Sequence, residues 1–374
     1  SAAYYLSKKE ELDITLLDKR GFGFGASGAC DGYCFIQTKK PGLLMELMSE
    51  SFKEYEILED ELPYPMEYER QGGIILIENE EQKEIIKEHV IKTVREVGIE
   101  IELIEKERVR EICPMVSKDI IGATYCPSDA LVDPLSLNIA LLEGSRDNGV
   151  ELLFGTEVID IETEKNSVKR LMTDQGDFIE TEVIVNAAGV ESPKIGQMVG
   201  LDLPIIPRKG QILVTEKIPF SIGPPIMTAR YIASKHDPNI LENVDEETKE
   251  LGAALIAEQT RGGTVLLGST REFQGYDTKV SPDAIEVITK STSKYLPGLN
   301  KFNLIRSYAG LRPYTPDGLP IIGLTDKIEG FIVATGHEGD GIALSPITGK
   351  LVSEIITENE TSIDIRRLSP DRFK

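Results

Sequence analysis

A short apolar stretch that ends in an acid and runs into a glycine-rich loop constrains this chain more than any other feature. Residues 14–17 read as a short buried strand that follows an apolar helix around Leu6. Asp18 closes the strand, and GFGFGASGACDG follows at residues 21–32. A dinucleotide-binding unit also has a second strand that ends in an acid. In such a unit the acid hydrogen-bonds the ribose of the dinucleotide. Taken alone, and with no GxGxxG before it, the segment favours an ordinary α/β helix and strand.

Composition and charge limit the partners of the protein. The 374 residues include 41 basic and 63 acidic side chains, a net charge of −22, and 40% of them are hydrophobic. Such a charge repels nucleic acid and anionic membrane surfaces. The sequence contains no run of 18 apolar residues, no secretory signal and no lipidation motif. We therefore expect a cytoplasmic protein of about two domains, with no nucleic-acid partner and no membrane span.

The numbers of cysteines and histidines limit the metal sites and the side-chain catalysis that this protein can have. They are Cys30, Cys34, Cys113 and Cys126, and His89, His236 and His337. The cysteines are too few for a disulfide scaffold and lack the paired CxxC spacing of a zinc site, so we expect reduced thiols and no metal centre. Three histidines leave little room for a metal site or a hydrolase triad. An organic cofactor is the expected source of chemistry.

Hydrophobic periodicity predicts the elements of the first half of the chain. Residues 42–61 and 80–97 have the spacing of amphipathic helices, and Gly72, Gly73 and the run IILIE at residues 74–78 give a strand between them. A further helix is predicted over residues 134–149, followed by a strand that ends at Ile161.

The second half combines a sheet with another strand, loop and helix. A hairpin is predicted over residues 169–181, and a buried strand at 183–186 leads into small residues and a new helix. Residues 211–275 alternate apolar and polar side chains between glycine-rich turns, which predicts an antiparallel sheet. Residues 331–334 form a buried strand, and a glycine-rich loop separates it from a helix beginning near Ile342.

Three separated groups of motifs occur in one order along the chain. They are TLLDK with GASGACDG, then VIVNAAGVESPKIGQMVGLDLPIIPRKGQ, then YAGLRPYTPDGLPIIG with ATGHEGDGIALSPITGK. Together they resemble the D-amino-acid oxidase superfamily of FAD-dependent oxidoreductases, in particular the branch of glycine and sarcosine oxidases, hydrogen cyanide synthase and proline dehydrogenase β-subunits. That family begins with a strand and a GxGxxG turn. We therefore expect about a dozen residues of a complete βαβ unit upstream of Ser1.

The resemblance implies an α/β fold, α+β overall, with two domains. One is a Rossmann-like FAD-binding domain, expected to comprise residues 1–66, 134–208 and 306–374. The other is a mainly antiparallel-sheet substrate domain, expected over residues 67–133 and 209–305.

The resemblance also implies which residues contact FAD. Asp18 is expected to accept hydrogen bonds from the ribose hydroxyls. The loop at residues 26–32 is expected to place backbone N–H groups under the pyrophosphate. The helix that follows GHEGDG is expected to direct its positive end at the flavin C2 carbonyl, which favours the anionic reduced flavin. The expected contacts are Asp18, Lys19, Ala26, Ser27, Gly28, Cys30, Asp31, Gly32, Val158, Ala188, Gly189, Gly310, Gly336, Glu338, Gly339, Asp340, Gly341 and Ile342.

Some assignments leave alternatives open. Cys30 and Asp31 stand where many relatives carry Asn or Arg, so the contacts of that loop differ in detail. Ala188 and Gly189 also suit a tight strand-to-helix turn with no ligand. His337 matches a Gly-His pair whose role in the family is structural, so no catalytic residue is assigned beside the flavin.

Arg312, within AGLRP, is the main substrate candidate. It matches a family arginine that pairs with the carboxylate of an amino acid, and a guanidinium suits a bidentate carboxylate. A surface salt bridge is the alternative, although the apolar YAGL and PIIG around it favour a less exposed setting. Tyr308, Arg306 and Tyr231 are further pocket candidates that equally suit packing.

The resemblance implies FAD-dependent oxidation of the C–N bond of a small amino or imino acid, of glycine, sarcosine, proline or hydroxyproline type, by hydride transfer to flavin. A desolvated pocket lowers the pKa of the substrate nitrogen without a dedicated base.

The segment ACDGYCFIQTKKPG resembles the multi-subunit branch, which implies iron-sulfur or flavin electron-transfer subunits as partners. A non-catalytic or electron-relay flavoprotein subunit is the alternative. A nicotinamide-dependent dehydrogenase is a third, which GHEGDG and AGLRP disfavour.

Overall fold

The structure is a computed structural model that describes residues 1–9, 12–233, 244–358 and 360–374. In chain order its α-helices are α1 (Ala2–Ser7), α2 (Leu43–Glu61), α3 (Glu80–Ile86), α4 (Lys92–Glu96), α5 (Lys106–Ile112), α6 (Pro134–Asp147), α7 (Ser192–Met198), α8 (Ala229–Ala233), α9 (Glu246–Glu250), α10 (Pro282–Tyr295) and α11 (Gly341–Thr357). Its strands are β1 (Thr15–Asp18), β2 (Tyr33–Cys34), β3 (Tyr68–Glu69), β4 (Gly73–Ile77), β5 (Glu102–Glu105), β6 (Gly122–Cys126), β7 (Ala130–Val132), β8 (Glu151–Phe154), β9 (Val158–Glu164), β10 (Ser167–Thr173), β11 (Phe178–Glu180), β12 (Ile184–Asn186), β13 (Ile206–Thr215), β14 (Ile226–Thr228), β15 (Ile256–Gln259), β16 (Val265–Gly268), β17 (Leu304–Tyr314), β18 (Ile321–Thr325) and β19 (Ile328–Thr335).

Most elements predicted from periodicity are present at the predicted places. The helix predicted over residues 80–97 is one helical stretch, in which a π-helical turn at Lys87–Ile91 joins α3 to α4. The prediction of a single strand ending at Ile161 is wrong in one respect. The segment forms two strands, β8 and β9. Gly155 separates them with a φ of 70°, a conformation that glycine adopts without strain.

Side-chain caps determine where several helices begin. Asp133 accepts a hydrogen bond from the backbone N–H of Ser136 at 2.7 Å, and Pro134 occupies the first turn of α6. Ser281 caps α10 in the same way through the N–H of Ala284 at 3.2 Å. α11 has no side-chain cap at its first residue, so the polar groups of its first turn are available to a ligand.

The largest sheet has eight strands in the order β17-β13-β16-β15-β14-β4-β6-β5. Strands β13 to β16 pair antiparallel, as expected for residues 211–275. The sheet continues beyond them because β14 pairs in parallel with β4. The prediction of a mainly antiparallel sheet beside a Rossmann-like unit is therefore confirmed.

Parallel pairs characterise the other part of the fold. β12 pairs in parallel with β19, Ile184 opposite Phe331, and β1 pairs in parallel with β8, Thr15 opposite Glu151. The hairpin of β10 and β11 is antiparallel, as predicted. β19 then leads through a glycine-rich loop into α11, which places a helix N-terminus at the carboxyl end of a parallel strand.

The described residues form three hydrophobic clusters, and the two larger ones hold these layers together. One packs α2 against α11 and includes Met48, Tyr55 and Leu351, each fully buried. The other lies under the eight-stranded sheet and includes Ile74 and Leu267. Complete burial of side chains of this size contributes roughly 1.5–3 kcal/mol each, so the clusters keep both sheets rigid around the site.

The ladder of β13 and β17 connects the two parts of the fold. β13 crosses the predicted domain boundary at residues 208–209, and β17 crosses the boundary at 305–306. Its register places Arg208 opposite Arg312 and Gly210 opposite Gly310. The division into two domains stays a prediction. The ladder of β13 and β17 positions the central residues of the candidate site.

Candidate functional site

The end of β1 forms the first part of the site. Asp18 Oδ1 accepts hydrogen bonds from the backbone N–H groups of Arg20 at 2.8 Å and Gly21 at 2.9 Å. Within the described residues, Oδ2 accepts no hydrogen bond. Lys19 Nζ lies 3.6 Å from the carboxylate of Glu191. The end of β1 therefore lies beside the turn that follows β12.

That turn holds the small residues predicted to face a cofactor. Asn186 accepts a hydrogen bond from the N–H of Ala188 at 3.3 Å, and Thr335 donates its hydroxyl to the Gly189 carbonyl at 3.2 Å. Gly189 has a φ of 57°, which favours glycine. Val158 packs at the edge of the hydrophobic cluster that also receives a leucine of β1. These residues form one group at the ends of β1, β12 and β19.

The glycine-rich loop lies across β17. A Cβ atom at Gly310 would come within 2.7 Å of the Ala29 carbonyl oxygen, so glycine permits this close approach. The Tyr308 hydroxyl donates to the Cys30 carbonyl at 3.5 Å. Gly28 has the same role inside the loop, because a Cβ there would overlap a backbone carbonyl. The loop is therefore fixed against the strand that carries Arg312.

Arg312 lies at the centre of this second group and is half-buried. Its Nη1 donates to the Thr270 carbonyl and its Nη2 to the Ser269 hydroxyl, both at 3.0 Å. The guanidinium lies over Gly210, where a Cβ would overlap it. A guanidinium has five N–H groups, and these two bonds leave three of them free of partners within the described residues.

Further charged side chains surround Arg312. Arg208 Nη1 lies 3.1 Å from Glu338 Oε1, and the Arg208 guanidinium is 5.4 Å from the ring centre of Tyr314. Burial opposes ionisation of Glu338, but the guanidiniums of Arg312, Arg208 and Arg271 lower its pKa. Glu338 is therefore ionised, and it neutralises part of the positive charge around the site.

Asp31 and Glu258 form a pair of acids that influence each other's charge, and Arg312 acts on Asp31. Gly32 donates its backbone N–H to both carboxylate oxygens of Glu258, at 3.1 and 3.0 Å. Burial, and then the charge of Asp31, raise the pKa of Glu258 well above its usual value. Burial also raises the pKa of Asp31, but Arg312 and Arg271 oppose that rise. Glu258 is therefore the acid of the pair that favours the protonated form more strongly, because among the described residues no cation offsets its burial as the two arginines do for Asp31.

The loop between β19 and α11 closes the site. Lys39 forms an ion pair with Asp340 and connects this loop to the segment after the glycine-rich loop. His337 Nε2 lies 2.9 Å from Thr348 Oγ1, and burial lowers the pKa of His337 to about 4. The imidazole is therefore neutral at physiological pH and anchors the loop to α11.

The structure brings the predicted residues together in two groups. Asp18, Lys19, Val158, Ala188 and Gly189 lie in the first, at the strand ends, while the loop residues Ala26, Ser27 and Gly28 connect it to the second. The second contains Cys30, Asp31, Gly32, Tyr308, Gly310 and Arg312, with Gly336, Glu338, Gly339, Asp340, Gly341 and Ile342 beside them. Arg306 is exposed, with its guanidinium 5.6 Å from the ring centre of Tyr308. The side chain of Tyr231 lies outside the described residues.

Sequence reasoning missed three charged residues of the second group, Arg208, Arg271 and Glu258. Arg208 lies in PRKG, inside one of the motifs that resemble the family. Glu258 is 6% exposed and follows the buried Ile256 and Ala257 in β15. A buried acid marks a candidate functional position, because an isolated buried charge is costly.

The fold and both groups define an FAD-dependent oxidoreductase, and comparison with known proteins agrees. The family "DAO: FAD dependent oxidoreductase" matches residues 1–355, and the chain belongs to it. Hydrogen cyanide synthase subunit HcnC of Pseudomonas protegens is 28% identical over 415 residues, with 100% of this chain and 93% of that protein covered. The family and its cofactor, FAD, are therefore as expected from the sequence.

Two solved structures have the same fold. L-proline dehydrogenase from P. horikoshii superposes with a TM-score of 0.86 at 25% identity, covering 100% of this chain and 94% of its own. Glycine oxidase from Geobacillus kaustophilus also gives a TM-score of 0.86 at 25% identity, covering 98% of this chain and 94% of its own.

Neither a membrane-spanning helix nor a metal-binding cluster occurs in the described part of the chain. Across the described ranges, no helix is both long and apolar enough to cross a bilayer. The same ranges contain no cluster of three or more His, Cys, Asp or Glu side chains arranged to hold a metal ion.

Proposed function

We propose that this protein is an amino-acid oxidase or dehydrogenase that oxidises the C–N bond of a small amino or imino acid of glycine, sarcosine, proline or hydroxyproline type. The half-buried guanidinium of Arg312, with N–H groups to spare beside the GHEGDG loop, is the observation that carries the proposal. The names of the relatives support the substrate class, since they include a glycine oxidase and an L-proline dehydrogenase.

The residues present suit FAD. The unpaired Oδ2 of Asp18 can accept a ribose hydroxyl, and Lys19 lies beside it. Small residues at 26–28 leave room for a phosphate to approach the backbone. The uncapped start of α11, at Gly341, offers its N–H groups and its positive dipole to a carbonyl or an anion. When bound, FAD accepts the two electrons and the hydrogen that leave the substrate α-carbon.

The side chains of the second group then bind and orient the substrate. Arg312 is proposed to hold the carboxylate, because a guanidinium fork matches the two oxygens of a carboxylate. Its bonds to Thr270 and Ser269 keep the guanidinium in one orientation, which fixes the direction of the α-carbon. Lys39 and Asp340 hold the loop against the segment after β2, which keeps the start of α11 in place beside Arg312.

Anaerobic titration of the purified protein with glycine, sarcosine, L-proline and hydroxyproline tests the proposal. We expect at least one of them to bleach the flavin absorbance stoichiometrically in the absence of oxygen. A bound flavin that none of these compounds reduces, but that dithionite does, contradicts the proposal. That result favours the alternative of a non-catalytic or electron-relay flavoprotein subunit.

The electron acceptor belongs to the same proposal. We expect electrons to pass to an iron-sulfur or flavin subunit rather than to oxygen, a hypothesis supported by the word "subunit" in the name of the Pseudomonas protegens relative. Turnover with an artificial dye should then exceed the rate of peroxide formation in air. Equal rates with dye and with oxygen contradict this part of the proposal.

A further inference from the structure

Asp31 is a half-buried acid that the proposed function leaves without a task. Both of its neighbours are held by side chains of other strands. The Cys30 carbonyl accepts the Tyr308 hydroxyl at 3.5 Å, and the Gly32 N–H donates to the Glu258 carboxyl group at 3.0 and 3.1 Å. The position of Asp31 is therefore determined on both sides, as for a residue that meets a ligand.

The loop places Asp31 beside Arg312. Tyr308, Gly310 and Arg312 alternate along β17 and so point to one face of the sheet. The loop crosses that face, with its closest approach where Ala29 meets Gly310. A carboxylate and a guanidinium thus lie on the same side of one strand, each tied to its own backbone contacts.

The groups around Asp31 act on its charge in opposite directions. Burial raises its pKa, while Arg312, the backbone N–H of Tyr33, 3.4 Å from Oδ1, and Arg271 favour the charged form. Glu258 faces it as the protonated partner, and burial keeps Cys30 and Tyr308 in their neutral forms by raising the pKa of each. Asp31 is therefore the acid of the pair whose charged form nearby cations stabilise, and its raised pKa makes it a stronger proton acceptor than an exposed aspartate.

An amino acid presents two opposite charges to such a site. Its carboxylate requires a cation, which Arg312 supplies under the proposed function. Its ammonium requires an anion and must lose a proton before the C–N bond is oxidised, since the nitrogen lone pair forms the new double bond.

We propose that the Asp31 carboxylate binds the ammonium group of the substrate whose carboxylate Arg312 holds, and accepts one proton from it. One N–H bond breaks and one O–H bond forms on Asp31, while the electron pair stays on nitrogen. The inference rests on the proposed function and moves Asp31, assigned to the cofactor by resemblance, to the substrate. It also predicts specificity for substrates that carry a basic nitrogen.

Rapid-mixing experiments on the FAD-loaded Asp31→Asn variant test this inference. The probes are sarcosine and L-proline, whose affinity follows from the concentration dependence of anaerobic flavin reduction, and acetate, whose binding perturbs the flavin spectrum. We expect the affinity for the amino acids at neutral pH to fall by about tenfold or more, because a charge-assisted bond is lost. The affinity for acetate should stay the same or rise, since Arg312 loses a competing anion.

The pH profile provides a readout that a purely structural role would not change. In the variant, reduction should be slow at neutral pH and recover at alkaline pH, where the substrate arrives as the free amine. Asp31→Glu should restore part of the neutral rate. Asp202→Asn, which removes an exposed acid far from the site in sequence, should match the parent in all three measurements.

Several outcomes overturn the inference. They are an equal loss of affinity for amino acids and acetate, an unchanged pH profile, and loss of FAD from the Asp31→Asn protein. Each of these leaves the proposed function standing when the parent is reduced normally. A parent that neither sarcosine nor L-proline reduces contradicts the proposed function, and this inference with it.

Discussion

Arg312 lies where β17, the end of β16 and the GHEGDG loop meet, and two of its N–H groups are already used to orient it. If the remaining groups hold the substrate carboxylate, Arg312→Ala removes a charge-assisted pair worth about 1.5–3 kcal/mol. We expect amino-acid binding to weaken by roughly ten- to a hundredfold, measured by anaerobic titration. Arg312→Lys should recover only part of this loss, because a point charge replaces a fork.

Arg306 supplies the matched control for this prediction. It lies on the same strand but is exposed to solvent. Arg306→Ala should retain the FAD content and the amino-acid affinity of the parent. If both variants bind the substrate as the parent does, Arg312 is not the carboxylate anchor.

His337 gives the protein a pH-dependent stability. Burial lowers its pKa in the folded protein from 6.5 to about 4, so between these values the unfolded chain binds the proton and the folded chain does not. Its contribution is complete above pH 6.5 and is lost as the pH falls towards 4. We expect the free energy of unfolding to fall by about 1–2 kcal/mol through this group. This is less than the pKa shift alone would give, because the ring is partly exposed to solvent.

Urea unfolding at pH 7 and pH 4.5 measures this effect. The His337→Gln variant has no titrating ring, so its free energy of unfolding should fall less between the two pH values than that of the parent. An equal fall in both proteins means that His337 does not contribute to the acid sensitivity.

At the scale of elements, the glycine-rich loop and β17 come together only because Gly310 has no side chain. Gly310→Ala brings a Cβ within 2.7 Å of the Ala29 carbonyl oxygen, so the loop or the strand has to move. Overpacking of this kind costs about 1–3 kcal/mol of stability. We expect a lower melting temperature and weaker FAD affinity, measured by calorimetry and by flavin fluorescence.

Gly262→Ala is the control for the effect of a methyl group at a glycine. A Cβ at Gly262 would lie 3.5 Å from Thr260 Oγ1, an ordinary contact. This variant should keep the parent's stability and FAD affinity. Equal losses in both variants contradict the role assigned to the close approach at Gly310.

At the scale of the whole molecule, the proposed cofactor residues come from strand ends and loops far apart in sequence, such as Asp18, Gly189 and Gly341. A ligand that binds only the folded chain stabilises it by about 2.7 kcal/mol at a concentration of 100 times its Kd. We therefore expect the melting temperature to rise with added FAD and denaturation to release the yellow cofactor into the supernatant. Flavin that stays with the precipitated chain indicates a covalent bond and contradicts this prediction.

Elements whose signals are local follow from the amino-acid pattern alone. A helix with one apolar face, such as α2, and a buried strand before a glycine loop, such as β19, follow from spacing within a dozen or so residues. The FAD family followed from ordered motifs, and Arg312 was selected as the substrate candidate from the segment AGLRP. All of these depend on residues that are neighbours in the chain.

Which charged side chains come together depends on the packing of the folded chain. Glu258 reaches Gly32 from β15, Arg208 stands opposite Arg312 through strand pairing, and Arg271 acts on Asp31 from the residues after β16. Such contacts join residues that are tens to hundreds of positions apart, so no local period encodes them. Burial has the same origin, because the dielectric environment that raises the pKa of Glu258 and of Asp31 exists only after the loop has packed against the sheet.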